Sequence, residues 1–317
     1  MRLGLTIDSA CDLPSSFIER HKIVVIPIKI ETGKQILLDT RDEAATQAFY
    51  RSGILKQNAG VRSTALTEDE ITQLFKEQVV QQFDFNLVQT ITQSRSLIFA
   101  NASQAAHRIL SEYRSIRDAQ YKKPFSIRVV DTHNMFAGQA VIAAETVRLA
   151  LSNLSRSDLR RRVELLASQA YCYAVLPDLA YARERGKLRG DKSISFLGAL
   201  IGKALSISPI LCVHQGKTFP VAKTRGYEQS IEYLLRYVEQ RIYKGLISPY
   251  IVMSYAGDIH DLNYLPGIER LERLAQANNL RILRTVMSMT AGANLGAGAF
   301  GIAFCDSPHQ FSDFADN

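Results

Sequence analysis

The chain has 317 residues, of which 46% are hydrophobic and 22% charged, with 18 glycines and 9 prolines. This is globular usage for two domains or one large one, and it excludes disordered, collagen-like and fibrous classes. A formal charge of +7 permits an anionic ligand or acidic partner without requiring nucleic acid, because the 38 basic and 31 acidic residues are spread along the chain.

In chain order, strands and helices alternate. Leu3–Ile7 reads as a strand, Ser16 and Glu19 have capping-box spacing for a short helix, and Ile23–Ile30 is a strand whose Pro27 argues for an edge or bulge. Thr67 and Glu70 repeat the capping-box spacing before Ile71, Leu74, Phe75, Val79 and Phe83 at helical intervals. Strand Phe85–Ile91, a helix from about Ser96, strand Ile127–Val130 and a helix over about Asn134–Leu151 complete a βαβαβα series, the pattern of a parallel sheet with helices on its faces. After Ser155 come a helix, strand Ala170–Leu176, and a hairpin of Ile207–Val213 and Phe219–Val221 across Gln215-Gly216. Helix Glu228–Tyr243, strand Tyr250–Ser254, helix Asn263–Ala277 and strands Arg281–Met287 and Phe300–Phe304 follow. A hairpin inside an alternating series makes the second sheet mixed. The expected organisation is an N-terminal α/β domain over 1–160, a C-terminal α/β domain over 161–306 and a flexible tail over 307–317.

Cys11, Cys172, Cys212 and Cys305 lie far apart with no C-x-x-C pair, which fits a reduced compartment better than a disulfide framework or zinc site. The N-terminal run meets Asp8 too soon for a signal peptide. Ser193–Val213 carries one charge, Lys203, but its glycines, Pro209 and serines favour a buried helix and strand over a membrane span. The expectation is therefore a cytoplasmic protein without stable membrane insertion.

In a parallel α/β sheet, ligands bind beyond the carboxyl ends of the strands. Asp8-Ser9, Ser63-Thr64 with Thr67, the Thr92–Ser96 hydroxyls and Asp131-Thr132 fall at such places. Hydroxyls and free N–H groups at two helix starts can converge on one anion; the plainer alternative is ordinary caps and turns. The chain contains no G-x-x-x-x-G-K-[ST], G-x-S-x-G or H-E-x-x-H. His133 reads as a turn residue rather than a site residue. The basic segment Arg183–Lys192, with Gly186 and Gly190, reads as a loop, either a lid over an anionic head group or a solvated surface, and Ala291–Gly301 as a flexible loop able to approach a ligand.

These segments, taken together and in order from Leu3 to Phe304, resemble the DegV family of bacterial lipid-binding proteins. Thr6–Pro14 (TIDSACDLP) is similar to the family's opening. Arg62–Phe75 occupies the place of its Thr-Ser-Gln-Pro-Ser motif, with Ser63 and Thr64 at the Thr-Ser positions, and Ile91–Ala105 that of its Ser-Gly-Thr, with Ser96 as the serine. Val129–Ala140 resembles the Asp-Ser…Gly-Gln segment, Glu184–Gly190 the Gly-Gly-Arg-Ile loop, Ile207–Lys217 the lysine–proline strand and its turn, and Ala293–Phe304 the closing His-x-Gly-Pro-Gly-Ala segment. Departures stand beside the matches: Leu97-Ile98 replace Gly-Thr, Lys187 the loop arginine, Asn294 the histidine and Ala297 the proline.

The resemblance implies two α/β domains with a long-chain fatty acid between them and no catalysis of their own. Ser63, Thr64 and Ser96 would hold the carboxylate, and Lys187 and Asn294 would close the site from the second half. The tail would lie in the C-terminal domain; the apolar segments Ile194–Leu205 and Ile207–Val213 are candidates for part of its wall, with plain core packing as the competing reading. It also implies a fatty acid kinase subunit as a partner, no cofactor and no metal. Two rivals stand beside this reading: an enzyme for a small carboxylated or phosphorylated substrate using Asp8, Asp131 and Lys187, and a regulatory protein whose lipid site is degenerate.

Overall fold

The computed structural model describes residues 2–33, 35–56, 60–117, 123–152, 154–188, 207–309 and 311–314. The chain enters a parallel sheet with β1 (Leu3–Asp8) and β2 (Val24–Ile26). The apolar run Ile23–Ile30 is cut at Pro27, which has no N–H to donate to a ladder. Beyond it β3 (Ile28–Glu31) turns into a separate antiparallel sheet with β4 (Ile36–Asp39) and β5 (Arg62–Thr64), in the order β4-β3-β5. Ser9 bridges the break: its N–H donates to Ile26 O at 3.0 Å and its hydroxyl accepts from Ile28 N at 3.0 Å. β6 (Phe85–Thr90) and β7 (Ser126–Asp131) complete the parallel sheet in the order β2-β1-β6-β7.

Some local expectations are corrected. The Ser16–Glu19 capping box does not form; the helix Ser15–Arg20 starts after Pro14 without a side-chain cap. The Thr67–Glu70 box does form, and opens the helix Glu68–Gln78. The sequence reading leaves β4, β5 and the helix Glu43–Arg51 unassigned. β5 is three residues long, and the helix is announced only by its cap, Asp42, which accepts from Ala45 N at 2.7 Å.

The second sheet has six strands: β8 (Ala170–Val175), β9 (Ile207–His214), β10 (Lys217–Arg225), β11 (Tyr250–Tyr255), β12 (Arg281–Val286) and β13 (Phe300–Cys305). Their order is β10-β9-β8-β13-β11-β12, antiparallel except for the β11–β12 pair, so the sheet is mixed as the hairpin implied. Pro266 and Gly267, the latter at φ 87°, break the helix expected over 263–277 into a short 3-10 turn at Ile259–Tyr264 and a helix at Ile268–Ala277. The glycine-bearing segment after Met287 is not all loop: Ser288 accepts from Ala291 N and starts the helix Met289–Leu295. The basic segment is helical over Leu179–Leu188. Residues 189–206, which include the proposed Ile194–Leu205 wall, lie outside the described residues.

The helix Ala137–Ala150 packs on β1 and β6 on one side and on β8, β11 and β13 on the other. It is buried on nearly every face, from Ala137 through Thr146, so it has no solvated stripe. Small side chains let the layers approach: a Cβ on Gly138 would lie 2.8 Å from Cys172 Cβ. Strand alternation sorts the partners. Ala170 and Cys172 of β8, with Ala303 and Cys305 of β13, face this helix, whereas Tyr171, Tyr173, Phe300, Ile302 and Phe304 face a second core under the helix Tyr227–Lys244. The first core runs unbroken from Ile7 and Leu87 to Val252 and Cys305, so both halves of the chain share it. The expected flexible tail is docked where it is described: Phe314 is buried and stacks on Tyr237 at a centroid distance of 3.7 Å. Among the described residues, no helix is long and apolar enough to cross a membrane.

Candidate functional site

A cavity of about 630 Å³ opens beyond the carboxyl end of the parallel sheet, between it, the three-stranded sheet and the face of β8 and β9. Its apolar wall follows the same alternation. Cys172 and Ala174 on β8, with Leu176 just past it, stand beside Leu211 and Val213 on β9, and Met135, Phe136, Ile28 and Ile91 also line the space. Phe136 holds a positive φ of 56°, a conformation costly for a bulky side chain, at the point where the central helix begins. Burial pushes the Cys172 thiol up to about 12, so this wall presents a neutral, inert sulfur.

The rim is polar. Ser63 and Thr64 come from β5, Ser94, Arg95 and Ser96 from the turn before the helix Ile98–Ile116, and Thr290 and Asn294 from the helix Met289–Leu295. Of the residues expected from the sequence, Ser63, Thr64, Ser96 and Asn294 all line this cavity. Lys187 does not: it is exposed at the end of its helix and is absent from the lining.

Counting protons separates the hydroxyls. Asn294 Nδ2 donates to Thr290 O at 2.7 Å and to Ser63 Oγ at 3.3 Å, so Ser63 accepts there and keeps its own proton for another acceptor. Ser96 Oγ accepts from Ile98 N at 3.2 Å and likewise keeps its proton. Thr64 Oγ1 spends its proton on Glu31 Oε1 at 2.8 Å, and Thr290 Oγ1 spends its own on Asp39 Oδ2 at 2.7 Å. The rim therefore offers an anion the hydroxyls of Ser63 and Ser96, with Asn294 orienting the first, and on the β10 side Thr218 Oγ1, which accepts at 2.6 Å, likewise keeps its proton.

Residues 2–307 match the model of the family described as "Uncharacterised protein, DegV family". The chain belongs to the DegV family. A DegV domain-containing protein of Xanthomonas axonopodis pv. citri is 41% identical over 313 residues, covering 98% of this chain and all of that one. Among solved structures, a stearic-acid-binding protein of Eubacterium ventriosum superposes with a TM-score of 0.77 at 16% identity, over 99% of this chain and 100% of that one. DegV of Bacillus subtilis, described as a fatty acid binding protein, superposes with a TM-score of 0.74 at 20% identity, over 97% of this chain and 100% of that one. These likenesses establish the DegV fold.

In this DegV chain the buried cation of the basic helix is Arg185, two residues before Lys187. Its Nη1 donates to Val61 O at 3.2 Å and its guanidinium lies 4.8 Å from the Tyr181 ring centroid. Tyr181 OH in turn donates to Ala293 O at 3.0 Å. The helix thus ties the strand carrying Ser63 to the helix carrying Asn294. The Tyr181–Arg185 spacing of one helical turn was the available signal; reading the segment as a loop hid it.

The carboxylates at the strand ends hold loops and do not face the cavity. Asp8 Oδ2 accepts from Ile91 N at 2.6 Å, and Asp131 Oδ2 accepts from Gln93 N at 3.2 Å. Asp131 also accepts from His133 N at 2.8 Å, so His133 is a turn residue as expected. Neither aspartate lines the cavity and Lys187 is exposed, so among the described residues these three groups do not meet in it. Among the described residues, no group of side chains is arranged to hold a metal ion.

Proposed function

We propose that this chain binds one long-chain fatty acid without transforming it. The carboxylate lies between residues 1–160 and 161–306 at Ser63 and Ser96, and the tail runs along the β8–β9 wall. The observation that carries this reading is the division of one cavity into an apolar wall of Cys172, Ala174, Leu176, Leu211 and Val213 and a rim where Ser63 and Ser96 keep their protons. A buried carboxylate needs donors to offset its desolvation, and the tail contributes about 0.8 kcal/mol per buried methylene, roughly 11 kcal/mol for some 14 of them before ordering costs. The family's solved members described as fatty-acid-binding support the same ligand class.

Presentation of the head group to a kinase belongs to this proposal. Gln93, Ser94 and Leu97 line the cavity and are exposed, which leaves the head-group side within reach of a partner. Native mass spectrometry of the purified protein tests the reading. The expected spectrum carries an adduct of fatty-acid mass, or gains one on adding oleate. A chain that stays bare in the presence of oleate contradicts it.

A further inference from the structure

We propose that Asp39 is a positioning residue of the head-group site: a buried carboxylate outside the cavity that fixes the Ser63 hydroxyl through Thr290 and Asn294. The assignment rests on the fatty-acid reading above and adds to it what holds that hydroxyl in place. Asp39 is fully buried and does not line the cavity. Its Oδ2 accepts twice from Thr290, from N at 2.9 Å and from Oγ1 at 2.7 Å. One turn along the same helix, Asn294 Nδ2 donates back to Thr290 O at 2.7 Å and outward to Ser63 Oγ at 3.3 Å. Both amide protons of Asn294 are thereby used, which fixes its amide plane and leaves Ser63 as an acceptor there with its own proton to give. The line from Asp39 to the ligand-facing hydroxyl is a continuous run of hydrogen bonds.

Strand pairing explains why Asp39 and Ser63 act on one helix. β3 carries β4 on one edge and β5 on the other, with Ile28 opposite Asp39 and Ile30 opposite Ser63. The three-stranded sheet therefore grips the helix Met289–Leu295 at Thr290 and at Asn294, about 6 Å apart along its axis. Other groups of the first half hold the chain just before this helix. Arg41 Nη2 donates to Val286 O at 3.0 Å, Asp12 Oδ1 accepts from Ser288 N at 2.9 Å, and the Tyr50 hydroxyl donates to Ser288 O at 2.9 Å. A Cβ on Gly292 would strike that hydroxyl, so the helix lies directly against this half. Asp39 reaches further than these groups, to the residue whose carbonyl holds Asn294.

The test is a double-mutant cycle read by oleate titration. Asp39→Ala alone should weaken oleate binding about fivefold, and Asp39→Asn, whose amide oxygen can still accept from Thr290, should recover part of that loss. In a Ser63→Ala background Asp39→Ala should cost less than about twofold, because the group it positions is gone, whereas in a Ser96→Ala background the loss of about fivefold should persist. A general loosening of the fold would act alike in both backgrounds, so the contrast reports positioning. Equal losses in the two backgrounds, or no loss from Asp39→Ala in the parent, overturn the Asp39 assignment alone. Should Asp39→Ala fail to fold, Thr290→Val takes its place in the same cycle with the same two outcomes. A parent protein that does not bind oleate overturns the fatty-acid reading itself.

Discussion

Each rim hydroxyl has one proton, and where that proton goes decides what the residue can do. Ser63→Ala and Ser96→Ala each remove a donor that the protein leaves uncommitted, so each should weaken oleate binding by about five- to tenfold, roughly 1 kcal/mol. Thr64→Val removes a proton held by Glu31 and should change binding by less than about twofold. Titration of the three variants with oleate checks the ranking; equal losses at Ser63 and Thr64 would contradict it. The same accounting applies to Asp8. Burial pushes its carboxyl up to about 7, against the N–H groups of Ile91 and Ala10 and the Gln139 side chain, which pull it down. A folded value above the unfolded one of about 3.9 means the folded chain holds this proton more tightly. That contribution to stability is complete below about pH 4 and is lost as pH rises through about 7. Burial shifts Asp12 and Asp39 upward as well, with the same sign. The urea midpoint should therefore be lower near pH 8 than near pH 5, and Asp8→Asn should shrink that difference; a difference of the same size in the variant would contradict the assignment.

At the scale of elements, β8 shows how one strand serves two purposes. Its small residues face the cavity and the central helix, and its tyrosines face the second core. Ala174→Phe fills the cavity side without touching the rim, so it should bar long acyl chains while short ones such as octanoate still bind; competition of octanoate and oleate measures this, and equal exclusion of both would show that the wall is not where the tail lies. Long periodic elements were legible in the sequence: β6 is a continuous buried run, and the Thr67–Glu70 box is a local interaction that needs no distant partner. β5 was not legible, because three residues carry no period and its pairing with β3 is set by tertiary contact. Ser63, Thr64, Ser96 and Asn294 reached the cavity from motif positions, but which hydroxyl is free depends on Glu31, Asn294 and Ile98 placed by the fold. The contact of the Gly216–Thr218 tip with the Thr92–Ser96 turn left no sequence signal, since Ser94 and Gly216 are 122 residues apart.

Across the whole molecule, the central helix binds the two sheets into one core, so the halves are expected to unfold together. Urea unfolding followed by far-ultraviolet dichroism and by tyrosine absorbance should give one coincident transition, and separated transitions would show that the shared core does not couple them. Removing the residues after Asp306 takes Phe314 from the Tyr237 face and leaves the Tyr237 hydroxyl without His309 Nε2 at 2.7 Å. Loss of a buried phenylalanine costs about 3 kcal/mol or more, and the truncated chain should unfold at correspondingly lower urea. A midpoint unchanged by truncation would return the tail to a flexible one. The central claim is that an acyl chain lies along the β8–β9 wall with its charge at the serine rim. The most direct measurement is a crystal structure of the protein with oleate. The expected result places carboxylate oxygens about 2.5–3.0 Å from Ser63 Oγ and Ser96 Oγ, with the chain against Cys172, Ala174 and Val213. A carboxylate out of reach of both serines, or a cavity left unfilled at saturating oleate, would contradict it.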